Sequence, residues 1–326
     1  MTGSTVTIDG GGIAQVPEEN ASTHRQGRTR TMTTEGSARA DIGRLGIWSP
    51  ELRGADPVAA GDIAAELDEA GWGALWLAGA GGPGIWRRAS HLLAGTTRLS
   101  VAFGVASIWG PDADIAAVEF SRITGQHGRR LLAGFGVSNP QSASAVGKHF
   151  GTPLDAMNNY LDDLDHATSP LSANDRILGA LGPRMVELAG RRASGIHPFL
   201  VTPESNITNR GILGQDALIA PHLAVVLETN PAKARQIARA GIGMFIGFPS
   251  YQANLRRLGF DDDDVVPGGS DRLIDRVVAW GSLDNVRRRV DEHVAAGADH
   301  LALHVLTGQQ RVPRAEWAEL SRLLSP

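Results

Sequence analysis

The chain has 326 residues, 42% of them hydrophobic and 20% charged, with a formal charge of −4 and no cysteine. That length suits one large α/β domain or two ordinary ones, and the charge provides no basic field for a phosphate backbone, which argues against nucleic acid as a partner. The lack of cysteine excludes disulfides, thiolate-held iron–sulfur clusters and cysteine nucleophiles; with no apolar run long enough to span a membrane, the expected compartment is the cytoplasm.

Residues 1–40 are rich in Gly, Ser and Thr, lack a sustained apolar period, and set Arg25, Arg28 and Arg30 beside Glu18, Glu19 and Glu35. This composition predicts a disordered extension without a targeting segment. A first strand is expected over 42–48 and a helix over 57–70, with Asp56 as N-cap and Pro57 at the first helical position. A second strand over 74–78 leads through a glycine-rich turn, 79–84, into a helix over 86–93. Residues 99–108 are apolar and β-branched enough for a third strand buried on both faces. A helix over 112–124 carries Asp112 and Asp114 where carboxylates suit its exposed N–H groups, and 131–136 forms the fourth strand. An insertion follows Pro140 and passes through Lys148-His149-Phe150-Gly151, a kind of passage that often caps a site.

Beyond the insertion come a helix over 153–166, a fifth strand over 176–181 and a helix over 183–191. Strands over 195–201, 223–228 and 300–306 bring the total to eight. Between the last two strands, a helix runs from Pro231 to Ala240, short helices cover 243–248 and 251–258, and longer ones cover 272–280 and 283–296. The aspartates at 261–264 cannot all converge on one ion and are read as solvated. A helix over 314–324 closes the chain. Strands alternating with helices in this number predict a single-domain (β/α)8 TIM barrel with an insertion after strand four. No G-x-G-x-x-G opens a helix after the first strand, so a dinucleotide-binding sheet has little support.

Two successive strands end in small or hydroxyl residues, Gly104-Val105-Ala106-Ser107 and Gly134-Phe135-Gly136-Val137-Ser138. Barrel sites are built at the carboxyl ends of strands, where bare backbone admits a flat or phosphorylated ligand. Tight packing explains the same glycines, and their pattern leaves both readings open. Gly179-Ala180-Leu181-Gly182-Pro183-Arg184 joins a strand to a helix start, where free N–H groups suit an anion; an ordinary βα turn has the same pattern. Trp48 and Trp109 end the first and third strands as walls for a planar ligand or as core. Glu228, at the end of the seventh strand, faces the pocket or partners the helix starting at Pro231. No histidines have metal-ligand spacing, so no metal is expected, and His149, His197 and His304 are read as structural.

The blocks Gly-Ile-Trp, Leu-Trp-Leu, Gly-Val-Ala-Ser-Ile-Trp, Leu-Ala-Gly-Phe-Gly-Val-Ser, Leu-Gly-Ala-Leu-Gly-Pro-Arg-Met and His-Pro-Phe-Leu-Val-Thr-Pro-Glu occur in this order. In that order they resemble the luciferase-like monooxygenase superfamily, most of all its coenzyme F420-dependent oxidoreductases of actinobacteria. The likeness runs from about Ile42 to the C-terminus. It implies a luciferase-like barrel that holds the deazaflavin F420, or alternatively FMN, across the strand ends.

By this likeness Gly104 and Val105 match a third-strand bulge that in several members holds a cis bond behind the flavin ring. Ser107 matches a polar cofactor contact, and Gly136, Val137 and Ser138 match the loop beside the ring and ribityl chain. Gly179, Ala180, Leu181, Gly182, Pro183 and Arg184 match the phosphate turn. A homodimer and a small organic substrate are implied as well. One departure stands out: several F420-dependent members carry an acid and a histidine just after the second strand, where this chain has Gly79-Ala80. No catalytic acid or base is therefore carried over. The implied function is hydride transfer between the deazaflavin and a small organic substrate, with an FMN monooxygenase or a non-catalytic flavin-binding barrel as alternatives.

Overall fold

The computed structural model describes residues 39–79 and 84–325, so the expectations for the extension before Arg39 and for most of the 79–84 turn lie outside the described residues. The strands in chain order are β1 (Leu45–Ser49), β2 (Ala74–Ala78), β3 (Ser100–Gly104), β4 (Ala106–Ser107), β5 (Leu131–Gly136) and β6 (Arg176–Leu178). They continue with β7 (Gly195–Ile196), β8 (Leu218–Ile219), β9 (His222–Val226), β10 (Val278–Trp280) and β11 (Leu301–Val305). All pairings are parallel, in the order β10-β9-β11-β1-β2-β3-β5-β6-β7-β8 with β4 beside β5.

Only Ala220-Pro221 separates β8 from β9. Ala220 N–H donates to Ile196 O at 3.0 Å, and Ala302 N–H donates to Pro221 O at 3.0 Å. One kinked run therefore spans β7 and β11 and closes the ring, with Pro221 at the kink where its missing donor is tolerated. Counting β3 with β4 and β8 with β9, and leaving out β10, which pairs with β9 alone, the ring has the eight staves of a (β/α)8 barrel.

The alternation along each stave separates two cores. Ile47, Leu75, Leu77, Val101, Phe103, Leu131 and Phe135 point outward and pack beneath the helices. Trp48 and Trp76 point inward among Ala74, Ala78, Ala102, Ala220, Ala224 and Ala302, small residues that leave room for the two indoles. Helix starts follow the expected chemistry: Asp56, Thr152, Asn230, Ser270 and Ser282 each accept the N–H three residues on. Among the described residues no helix is long and apolar enough to cross a membrane.

Several expected elements are corrected. The helix expected over 272–280 divides into helix Asp271–Val277 and β10, because Val278 and Ala279 pair with β9 instead of continuing the turn. The helix from Pro231 runs on to Ile246, absorbing most of the short helix expected over 243–248. Its glycines serve close packing rather than termination: a Cβ at Gly243 would meet Gly268 Cα at 3.2 Å. The strand expected over 195–201 ends at Ile196, short of Pro198, and the strand expected over 99–108 is broken at Val105. Asp264 is not solvated; it is buried, accepts from Ser270 Oγ at 2.6 Å and pairs with Arg272. Helices Glu51–Gly54, Pro140–Ser144 and Pro203–Leu213 were not expected.

Candidate active site

The third stave is interrupted at Val105, and the Gly104–Val105 peptide is cis, at the position where the family likeness implies such a bond. Trp48 Nε1–H donates to Gly104 O at 3.0 Å, which ties β1 to the bulge. A Cβ at Gly104 would lie 2.6 Å from Trp48 Nε1 and 2.8 Å from His197 Nε2. A Cβ at Gly136 would lie 2.4 Å from Val105 Cγ2, and one at Gly179 would lie 3.2 Å from the same methyl. Tight packing therefore does account for these glycines: the bulge and its valine occupy the space. Gly79 is more constrained still, since its Cβ would fall 1.2 Å from Val105 O. That contact explains why no acidic side chain stands at this position. Ala80 lies outside the described residues.

Beyond the bulge, Ser107 pairs in register with Gly136, and its Oγ accepts from Trp109 N–H at 3.3 Å. Trp109 Nε1–H donates to Val137 O at 2.6 Å, and its ring lies 5.7 Å from Phe150 of the insertion. Trp109 thus belongs to the outer core, apart from Trp48 in the barrel. Ser138 is exposed, and its Oγ lies 2.9 Å from Ser142 Oγ. Among the described residues, Ser138 (φ 56°) and Leu200 (φ 53°) are the non-glycine residues with left-handed backbone. Both follow strand ends, where held strain commonly accompanies a site.

Gly179 N–H donates to Phe135 O at 2.8 Å, and Ala180 is buried beside it. Leu181 leads to Gly182, the N-cap of helix Pro183–Arg192, whose first turn no side chain caps. Arg184 sits in that turn, exposed. A Cβ at Gly182 would lie 3.5 Å from Arg257 Nη2, a guanidinium delivered by helix Pro249–Arg257. Arg257 bonds Asn254 Oδ1 at 3.3 Å, and among the described residues neither Arg184 nor Arg257 has a carboxylate partner. Two uncompensated cations and an uncapped helix start favour an anion here. Arg257 was not foreseen from sequence, where nothing in the Arg256-Arg257 doublet points to a turn so distant along the chain.

Glu228 takes the helix-start role. Its carboxylate accepts Asn230 N–H at 2.9 Å and pairs with Lys233 Nζ at 2.5 Å, which chiefly holds its pKa below the usual range.

Inside the barrel, Trp76 Nε1–H donates to His300 Nε2 at 2.8 Å, and His300 Nδ1 donates to Gly43 O at 2.9 Å. An indole only donates and a carbonyl only accepts, so this tautomer is fixed. His197 stacks on Trp76 with centroids 4.3 Å apart and donates from Nδ1 to Ala220 O at 2.7 Å. His222 Nε2 lies 3.0 Å from His304 Nδ1, while Phe199 stacks on His222 at 3.6 Å. Burial pushes His197 and His300 down to about 4, His304 to about 3, and His222 well below its ordinary value. All four are neutral at pH 7. The structural reading of His197 agrees with this burial, and the even spacing of His300, just before β11, and His304 within it signals that they share a face.

No family model and no curated protein matches the sequence. Solved structures do match. An F420-dependent secondary alcohol dehydrogenase in complex with an F420–acetone adduct aligns at TM-score 0.68 and 11% identity over 87% of this chain and 99% of its own. The coenzyme F420-dependent tetrahydromethanopterin reductase of Methanopyrus kandleri aligns at 0.64 and 15%, over 87% and 97%. The oxygenating constituent of 3,6-diketocamphane monooxygenase from Pseudomonas putida, in complex with FMN, aligns at 0.63 and 12%, over 87% and 97%. The chain has the luciferase-like barrel fold. In this luciferase-like barrel the cis bulge, the glycines around Val105 and the cationic turn at Gly182 all lie at the carboxyl ends of the staves.

Proposed function

We propose that this luciferase-like barrel is an oxidoreductase that uses coenzyme F420 to move hydride to or from a small organic substrate. The observation that carries the reading is the continuity of the bulge at Val105, through Gly136 and Gly179, with an uncapped helix start flanked by Arg184 and Arg257. The residues present fit a phosphorylated planar cofactor: the Val105 bulge for a ring to rest on, hydroxyls at Ser107 and Ser138 for a polyol chain, and N–H groups with two guanidiniums for a phosphate. When bound, the deazaflavin supplies a carbon that accepts or releases hydride. In this reading Val105 supports the ring, Ser138 holds the chain, and Gly182, Arg184 and Arg257 neutralise the phosphate.

FMN is the second reading, favoured by the FMN-bound neighbour of similar TM-score. Titrations with F420, FMN and FAD, followed by fluorescence, separate the two. F420 is expected to bind most tightly. Tight binding of FMN alone, with oxygen consumed, makes the chain a monooxygenase; flavin binding without turnover on any acceptor makes it a binding module.

A further inference from the structure

His304 lies one residue before the end of β11, and the cofactor reading leaves it without a role. Its ring tilts against Trp48 with centroids 4.5 Å apart, and Trp48 is bonded to the bulge at Gly104 O. His304 therefore faces the barrel interior at the level of the bulge. Its Nδ1 meets His222 Nε2 at 3.0 Å. Its Nε2 has no partner among the described residues, yet it is not sealed in as His222 Nδ1 and His197 Nε2 are. The side chain is only 6% exposed.

The pair of rings has two neutral arrangements. If His304 donated to His222, His222 Nδ1–H would be a buried donor with nothing but its own backbone carbonyl beside it, short of a hydrogen bond. If His222 donates to His304, the orphan is a bare nitrogen lone pair, and His304 carries its proton on Nε2. Buried orphan donors are rarer than under-satisfied acceptors, so the second arrangement prevails. Burial keeps both rings uncharged. A neutral imidazole of this kind polarises a carbonyl without first having to lose a charge.

We propose that His304 Nε2–H is the donor that receives the carbonyl oxygen of the substrate, and that His222 is the positioning residue that fixes its tautomer. The inference rests on the oxidoreductase reading for the identity of the occupant and names its class: a small, largely apolar molecule with one acceptor oxygen. The apolar part follows from the surroundings, where Trp48, Phe199, Phe245 and Tyr251 form one connected aromatic cluster. A hydrocarbon of the same shape would leave Nε2–H unpaired and is selected against for that reason.

The test uses the full chain, labelled with 15N and free of cofactor. Long-range 1H–15N correlation reads each imidazole tautomer, and loss of one pattern in His304→Phe assigns His304. The expected result is Nε2–H with a bare Nδ1 on His304, and loss of that preference in His222→Phe. Cyclohexanone is then expected to shift the His304 Nε2 signal saturably, while methylenecyclohexane leaves it in place, and the Kd followed in both proteins through the Trp48 indole signal is expected to be at least fivefold weaker in His304→Phe. A proton on Nδ1 overturns the proposal, as does a signal that the ketone does not move with or without F420 present. A signal moved by F420 alone makes His304 a cofactor contact and also overturns it. Failure of the wild-type chain to bind F420 or FMN would remove the oxidoreductase reading while the tautomer and ketone results stand on their own.

Discussion

A methyl group at Gly79 cannot coexist with the carbonyl of Val105, 1.2 Å from where its carbon would sit, so the residue after β2 and the bulge after β3 are one steric unit. Gly79→Ala is expected to destabilise the chain by about 1–3 kcal/mol or more, read as a lower urea midpoint, because backbone rather than a flexible side-chain end must move. Gly125, in the helix Ala113–His127 with open space around it, is the control. Gly125→Ala should gain about 0.5–1 kcal/mol. At Gly182 the contact with Arg257 is ordinary at 3.5 Å, so Gly182→Val should fold normally while filling the space above the turn. Cofactor affinity is expected to fall at least tenfold, and Arg257→Ala should cost a similar factor, since a charged hydrogen bond contributes about 1.5–3 kcal/mol. Unchanged affinity in Gly182→Val would put the phosphate elsewhere.

Among the elements, the joint between helix Pro57–Glu69 and β3 depends on one carboxylate. Asp68 accepts N–H groups from Thr97 at 2.7 Å, Arg98 at 3.1 Å and Leu99 at 2.7 Å. Burial alone would raise its pKa, but these donors prevail and hold it below the ordinary value. A depressed carboxylate contributes stability above its unfolded pKa of about 4 and loses it as pH falls through the folded value. Asp68→Asn should lower stability at pH 7, and the variant's urea midpoint should fall less than that of the wild type between pH 4 and 2. Elements of this kind were largely legible: long apolar runs gave the staves, and capping residues followed by proline gave the helix starts. The short strands β8 and β10 were not, since two or three apolar residues have no period of their own and only their partners make them strands. The site was legible to the same degree. Glycines at strand ends and an uncapped turn are local signals, whereas Arg257 over Gly182 and His222 against His304 meet only because the ring closes.

For the molecule as a whole, the barrel interior decides the response to acid before the surface does. Most ion pairs lie on exposed side chains, where each contributes little. Five buried histidines have lowered pKa values: His197, His222, His300 and His304 inside the barrel, and His293 beside Asn206, pushed by burial to about 3. Unfolded, each titrates near 6.5. Between that value and about 4 the unfolded chain binds protons that the folded chain refuses, so stability is full above about pH 6.5 and is lost as pH falls. Each histidine contributes a slope of about 1.4 kcal/mol per pH unit where the unfolded imidazole is protonated and the buried one is not. The urea midpoint is therefore expected to drop steeply between pH 7 and 5, before the carboxylates titrate. His304→Phe should lower that slope by about one proton. A midpoint that stays level from pH 7 to 5 would mean that these imidazoles are charged in the folded chain, and the neutral donor assigned to His304 would fall with it.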